Sequence, residues 1–150
     1  MVVVVVLAWL LVRPQSIVLH GNAMFPTLKD QQLLVVTRAP YVFAGPRRGD
    51  IIAFRSSQGA SPEFLFRVVG LPGDRLRIDN HVVEVNGKPL HEPYVGKPWT
   101  SRASWPPDGR EVEIPEDHYF VLGDNRDHAA DSRQFGYVER NQIVGVVVGH

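Results

Sequence analysis

The chain opens on an unbroken apolar run from Met1 to Val12, five of its residues consecutive valines, and the run stops at Arg13-Pro14. A bilayer span needs about 20 apolar residues, whereas a run of about 10–14 more often belongs to a buried element or to a signal-peptide core. Length alone therefore favours a buried segment. No basic residue precedes the run and no small-residue cleavage pattern closes it, which gives it the character of the last turns of a longer anchor. Beyond Pro14 the pattern changes to short alternating or wholly apolar stretches bounded by Gly, Pro, Asn and Asp. These predict strands over Ser16 to His20, Leu33 to Arg38, Asp50 to Arg55, Glu63 to Gly70, Arg75 to Asp79, His81 to Val85, Glu111 to Ile114, His118 to Leu122 and Gln142 to Val148. In the fourth, Phe64, Phe66 and Val68 share one face and Leu65, Arg67 and Val69 the other. Both faces are mostly apolar, so this strand is expected inside a sheet rather than at its edge.

Asn80 and Asn86-Gly87 mark hairpin turns, and Gly96 to Gly109, with Pro98, Pro106 and Pro107, reads as an irregular connection. No convincing helical period follows the N-terminal run. The pattern predicts an all-β, mainly antiparallel domain. A length of 150 residues suits one such domain, which at this size buries roughly 68–70% of the unfolded chain's surface.

Composition narrows the chemistry. Sixteen basic residues balance sixteen acidic ones, so there is no overall positive field to attract nucleic acid, and none is expected as a partner. Without cysteine there is no disulfide, thiolate nucleophile or Cys-ligated zinc, and the redox compartment stays open. No G-x-S-x-G, H-E-x-x-H, Walker loop or G-x-G-x-x-G occurs. Asp124, Asp127 and Asp131 lie close together, but their spacing misses the alternate-residue calcium pattern and two arginines intervene. Neither a metal nor a cofactor is expected; the stretch reads instead as a polar loop wired by its own Asp-Arg pairs.

Four blocks, in order, resemble the type I signal peptidases. They are Gly21-Asn22-Ala23-Met24-Phe25-Pro26-Thr27-Leu28; Arg67-Val68-Val69-Gly70-Leu71-Pro72-Gly73-Asp74; Val85-Asn86-Gly87-Lys88-Pro89-Leu90 with Glu92-Pro93-Tyr94; and Tyr119-Phe120-Val121-Leu122-Gly123-Asp124-Asn125-Arg126 running on to Asp131-Ser132-Arg133 and Phe135-Gly136. The resemblance implies a serine endopeptidase that removes signal peptides from exported preproteins. It also implies residues 1–13 as a membrane-anchor remnant in contact with lipid, and residues 14–150 as a domain on the outer side of the cytoplasmic membrane. Arg13, on the outer flank, goes mildly against the positive-inside tendency.

Such enzymes use a serine nucleophile and a neutral lysine base, the lysine neutral because burial lowers its pKa. The family serine position is Ala23, the lysine position Phe66, and the position of an orienting serine Ala129. Arg67, beside the lysine position, stays protonated and is no base. An engineered replacement explains Ala23 alone and leaves Phe66 and Ala129 unexplained, so the chain is expected to be catalytically inactive and kept for peptide or partner binding; an active peptidase with relocated residues, or one inactivated by design, is the alternative. The resemblance further implies peptide binding through Met24 and, on the flanking strands, Leu19, Phe64 and Leu65, for each of which ordinary core packing serves equally well. Gly123, Asp124, Asn125, Arg126, Asp131 and Arg133 are expected as scaffold. The expected partners are signal peptides or a membrane protease.

Overall fold

The computed structural model describes residues 13–56 and 64–150. Of the anchor expected over residues 1–13, residues 1–12 thus lie outside the described residues, as does Glu63. Among the described residues no helix is long and apolar enough to cross a membrane.

Every strand predicted from the pattern forms, with ends that differ by a residue or two: β1 (Gln15–Val18), β2 (Leu33–Thr37), β3 (Ile51–Phe54), β4 (Phe64–Gly70), β5 (Arg75–Asp79), β6 (Val82–Val85), β8 (Glu111–Glu113), β9 (His118–Leu122) and β11 (Ile143–Val148). Two short strands went unpredicted, β7 (Lys88–Pro89) and β10 (Val138–Glu139), together with a one-turn helix, α1 (Ser132–Phe135). Their brevity is the reason. Two residues carry no period, and α1 owes its start to the Asp131 carboxylate, which accepts from the Arg133 amide at its N-terminus.

All pairings are antiparallel. A seven-stranded sheet runs β1-β2-β11-β3-β4-β9-β10, and a four-stranded sheet runs β7-β6-β5-β8. The β5–β6 hairpin closes Asp79 on Val82, with Asn80 and His81 both at positive φ (45° and 68°), the geometry of a type I′ turn. Asn86-Gly87 repeats it between β6 and β7, at 53° and 77°. These asparagines tolerate the left-handed region that bulkier side chains avoid.

Two apolar cores result. One gathers Met24, Leu28, Ile52, Phe54, Leu65, Phe66, Val68 and Val121; the other gathers Val69, Leu76, Ile78, Val83, Phe120 and Leu122. Strands β4 and β9 face both, which explains why neither face of β4 is polar. Arg67 is the exception on β4, and its charge is compensated at once.

Candidate functional site

The three positions singled out by the resemblance come from separate elements and meet around one glycine. Ala23 lies in the turn after β1, Phe66 on β4, and Ala129 in the loop after β9. A Cβ placed on Gly123 would stand 2.3 Å from the Ala129 Cβ, 2.7 Å from the Ala23 carbonyl oxygen and 3.5 Å from Cε1 of the Phe66 ring. Only a glycine admits this approach.

Local chemistry sets the Ala23 turn. Gly21 has a φ of 89°, and its amide donates to Asp30 Oδ1 at 2.7 Å; that bond holds the Asp30 carboxyl below the usual range. The Phe25 amide donates to the Asn22 carbonyl at 3.1 Å and the Leu28 amide to the Met24 carbonyl at 2.9 Å. Across the site, the Asn125 amide donates to the Ala23 carbonyl at 3.0 Å, and Asn125 Nδ2 donates to the Asn22 carbonyl at 3.0 Å. The loop after β9 is thereby pinned to the turn after β1.

Phe66 is 4% exposed. Its ring stacks on Phe64 at 6.3 Å between centroids and lies 6.0 Å from Phe54 and 6.3 Å from Phe135. Four rings thus occupy the face of β4 that borders Ala129. No hydroxyl, amine or imidazole stands at any of the three positions. Among the described residues, no buried side-chain nitrogen or oxygen lacks a hydrogen-bond partner, so no idle polar group waits beneath the site. His128 is exposed and lines a hollow of ≈ 310 Å³ with Phe25, Pro26 and Trp99.

Of the residues expected to touch a peptide, Met24 is fully buried, Leu19 and Leu65 are nearly so, and Phe64 is half-buried. All lie in or against the first core. Beside them β4 offers a backbone edge. Its pairing with β3 spans Phe64 to Arg67, whereas its pairing with β9 begins only at Arg67. Over 64–66 the side of β4 turned toward β9 has no strand partner among the described residues.

The scaffold residues correct one expectation. Asp131 and Arg133 do pair within the loop, at 2.9 Å, and Asp131 Oδ2 also accepts the Gly123 amide at 3.0 Å. Asp124 and Arg126, however, are paired outside it. Arg67 of β4 takes Asp124, whose Oδ2 also accepts from the Thr27 hydroxyl, and Glu92 takes Arg126. The loop is therefore anchored to the other three blocks rather than closed on itself, because carboxylates and guanidinia this deeply buried need partners wherever the fold supplies them. Tyr94, missed as a contributor, lays its ring 4.0 Å from the Arg67 guanidinium carbon. Burial first, and the adjacent Glu92 carboxylate next, push its phenol upward, so it remains a donor to Glu92 at 3.2 Å. Thr27, Glu92 and Tyr94 all fall inside the matched blocks; that was the signal available for them.

Known proteins resemble this chain over most of its length. The family model described as signal peptidase, peptidase S26, matches residues 1–149. Signal peptidase I of Bacillus caldolyticus is 39% identical over 142 residues, covering 87% of this chain and 75% of that protein. Signal peptidase I of Leptolyngbya laminosa is 37% identical over 135 residues, covering 85% of this chain and 64% of that one. Signal peptidase IB of Staphylococcus aureus (strain COL) is 32% identical over 158 residues, covering 97% and 81%. The crystal structure of a signal peptidase I from Enterococcus faecalis V583 superimposes with a TM-score of 0.55 at 31% identity, covering 67% of this chain and 95% of that one.

Proposed function

The chain belongs to the signal peptidase family, peptidase S26, and from that membership we propose that it binds signal-peptide segments of exported proteins without cutting them. What carries the reading is the contact of Ala23, Phe66 and Ala129 about Gly123. At the family's nucleophile, base and orienting positions there is a methyl, a phenyl ring and a methyl. In a serine protease dissected residue by residue, loss of the nucleophile or the base costs about 10⁶ in kcat, and loss of both costs little more.

Binding needs none of those groups. An extended peptide adds to an open strand edge through main-chain hydrogen bonds, and β4 over 64–66 supplies such an edge beside Leu19 and Leu65. In this reading residues 1–13 anchor the chain in the cytoplasmic membrane and residues 14–150 work on its outer side. Exposed Val18, Leu33, Val35 and Val148 support a lipid-facing flank next to the anchor, since Val18 pairs with Leu33 and Val35 with Val148. A membrane protease is the partner to which a held peptide would pass.

The test is incubation of the purified chain with a preprotein. Co-purification of the intact preprotein, blocked by a synthetic signal peptide, is the expected result. Specific cleavage after a small residue would overturn the reading.

A further inference from the structure

A groove of ≈ 670 Å³ opens beside the free end of β4, with Phe64 and Phe135 among its lining and Arg55 and Glu139 at its rim. Three observations give it a ligand. Phe135 is 44% exposed, although its ring already touches the cluster, 6.3 Å from Phe64 and 6.1 Å from Phe54. It is the exposed member of a four-ring cluster in which Phe54 and Phe66 are buried and Phe64 half-buried. Phe64 both lines the groove and begins the unpaired edge of β4. Arg55, finally, is an exposed guanidinium with no ion pair or side-chain hydrogen bond among the described residues. The Glu139 carboxylate, by contrast, is occupied by Asn141 Nδ2 at 3.0 Å and by the backbone amide of Gln142. Among the described residues, the groove therefore has beside its aromatic floor a guanidinium that is in no ion pair, while the oxygens of its carboxylate already accept hydrogen bonds from neutral donors.

A strand added along 64–66 must send alternate side chains to opposite faces of the sheet. Those on one face run beside Leu65. Those on the face of Phe64 and Phe66 lie over the groove. We propose that this groove is a specificity subsite for the bound peptide, taking a bulky aromatic side chain against Phe64 and Phe135 while an adjacent acidic side chain meets Arg55. This rests on the peptide-edge reading above and adds a selectivity that the edge alone does not have, because main-chain pairing is blind to side chains.

The experiment is fluorescence anisotropy of the intact chain with short extended peptides carrying Phe or Ala at a scanned position, and Asp or Lys beside it. One register is expected to prefer Phe over Ala by about tenfold or more, and Asp over Lys. Phe135→Ala should erase the first preference, bringing the Phe and Ala peptides to equal affinity, and Arg55→Glu should reverse the second. Phe135→Leu, which keeps apolar bulk, should retain part of the preference and serves if the alanine variant fails to fold. Equal binding of Phe and Ala peptides, or an undiminished preference in both Phe135 variants, would overturn the subsite and leave the edge standing. No binding by any peptide would overturn the edge and the subsite with it.

Discussion

Arg67 grips Asp124 with two parallel charge-assisted hydrogen bonds, Nε to Oδ1 at 2.8 Å and Nη2 to Oδ2 at 2.6 Å, and neither side chain is more than 8% exposed. The remaining terminal nitrogen, Nη1, donates to the Gly49 carbonyl at 2.8 Å. One guanidinium therefore joins β4, the turn before β3 and the loop after β9. Arg67→Ala leaves Asp124 as a buried carboxylate without its cation, which is expected to cost about 3–5 kcal/mol in urea unfolding. Arg67→Lys, which cannot reproduce the fork, should fall between that variant and the parent.

Gly123→Ala tests the convergence of the three family positions. The added methyl meets a backbone oxygen at 2.7 Å as well as the Ala129 methyl at 2.3 Å, so neither neighbour is a flexible tip that can swing aside. A loss of about 1–3 kcal/mol is expected from such overpacking. NMR should show the largest shifts at Ala23 and Asn125, whose 3.0 Å hydrogen bond spans the site.

Restoring the family residues should restore some chemistry, but only jointly. Ala23→Ser alone is expected to give no cleavage of a preprotein, because a hydroxyl without a base stays protonated. Ala23→Ser with Phe66→Lys and Ala129→Ser should give slow cleavage whose rate rises with pH. The lysine would sit among Phe54, Phe64 and Phe135, where desolvation disfavours its ammonium form. The same change removes a buried ring, a loss on the scale of about 3–5 kcal/mol, so the triple variant should melt well below the parent. Full activity from Ala23→Ser alone would point instead to an engineered inactivation.

Acid should loosen the connection between β7 and β8 at Asp127. The amides of Thr100 and Ser101 donate to its Oδ1 at 2.9 and 2.8 Å, and these bonds hold its carboxyl below the ordinary aspartate value. A depressed folded pKa means that the stabilisation is complete above the unfolded value of about 3.9 and is lost as pH falls through the folded one. Hydrogen exchange at residues 100–101 is expected to accelerate in that acid window. Asp127→Asn keeps an acceptor and should flatten the pH dependence.

Much of this molecule was legible from period and turn chemistry. The alternation of Phe64, Phe66 and Val68 with Leu65 and Val69 located β4 and its interior place, and Asn86-Gly87 located a hairpin. The matched blocks named Ala23, Phe66 and Ala129 before any geometry brought them together. What escaped was of two kinds. β7, β10 and α1 are too short to carry a periodic signal. The partners of Asp124 and Arg126 stand 57 and 34 residues away, and no local pattern says which distant charge a buried charge will find. Phe54 and Phe135 escaped for the second reason: only the folded sheet shows that they wall in Phe66.

The two-sided burial of β4 and β9 ties the two cores to the same pair of strands. Phe66 and Val69 lie on one strand yet pack into different cores, so a substitution that repacks one core displaces the backbone on which the other depends. The cores cannot melt separately while they share those strands, and calorimetric and spectroscopic unfolding should coincide in one cooperative transition. Position 66 therefore answers to mechanics as well as to any chemistry, and an aromatic ring that fills the first core without moving β4 meets that demand.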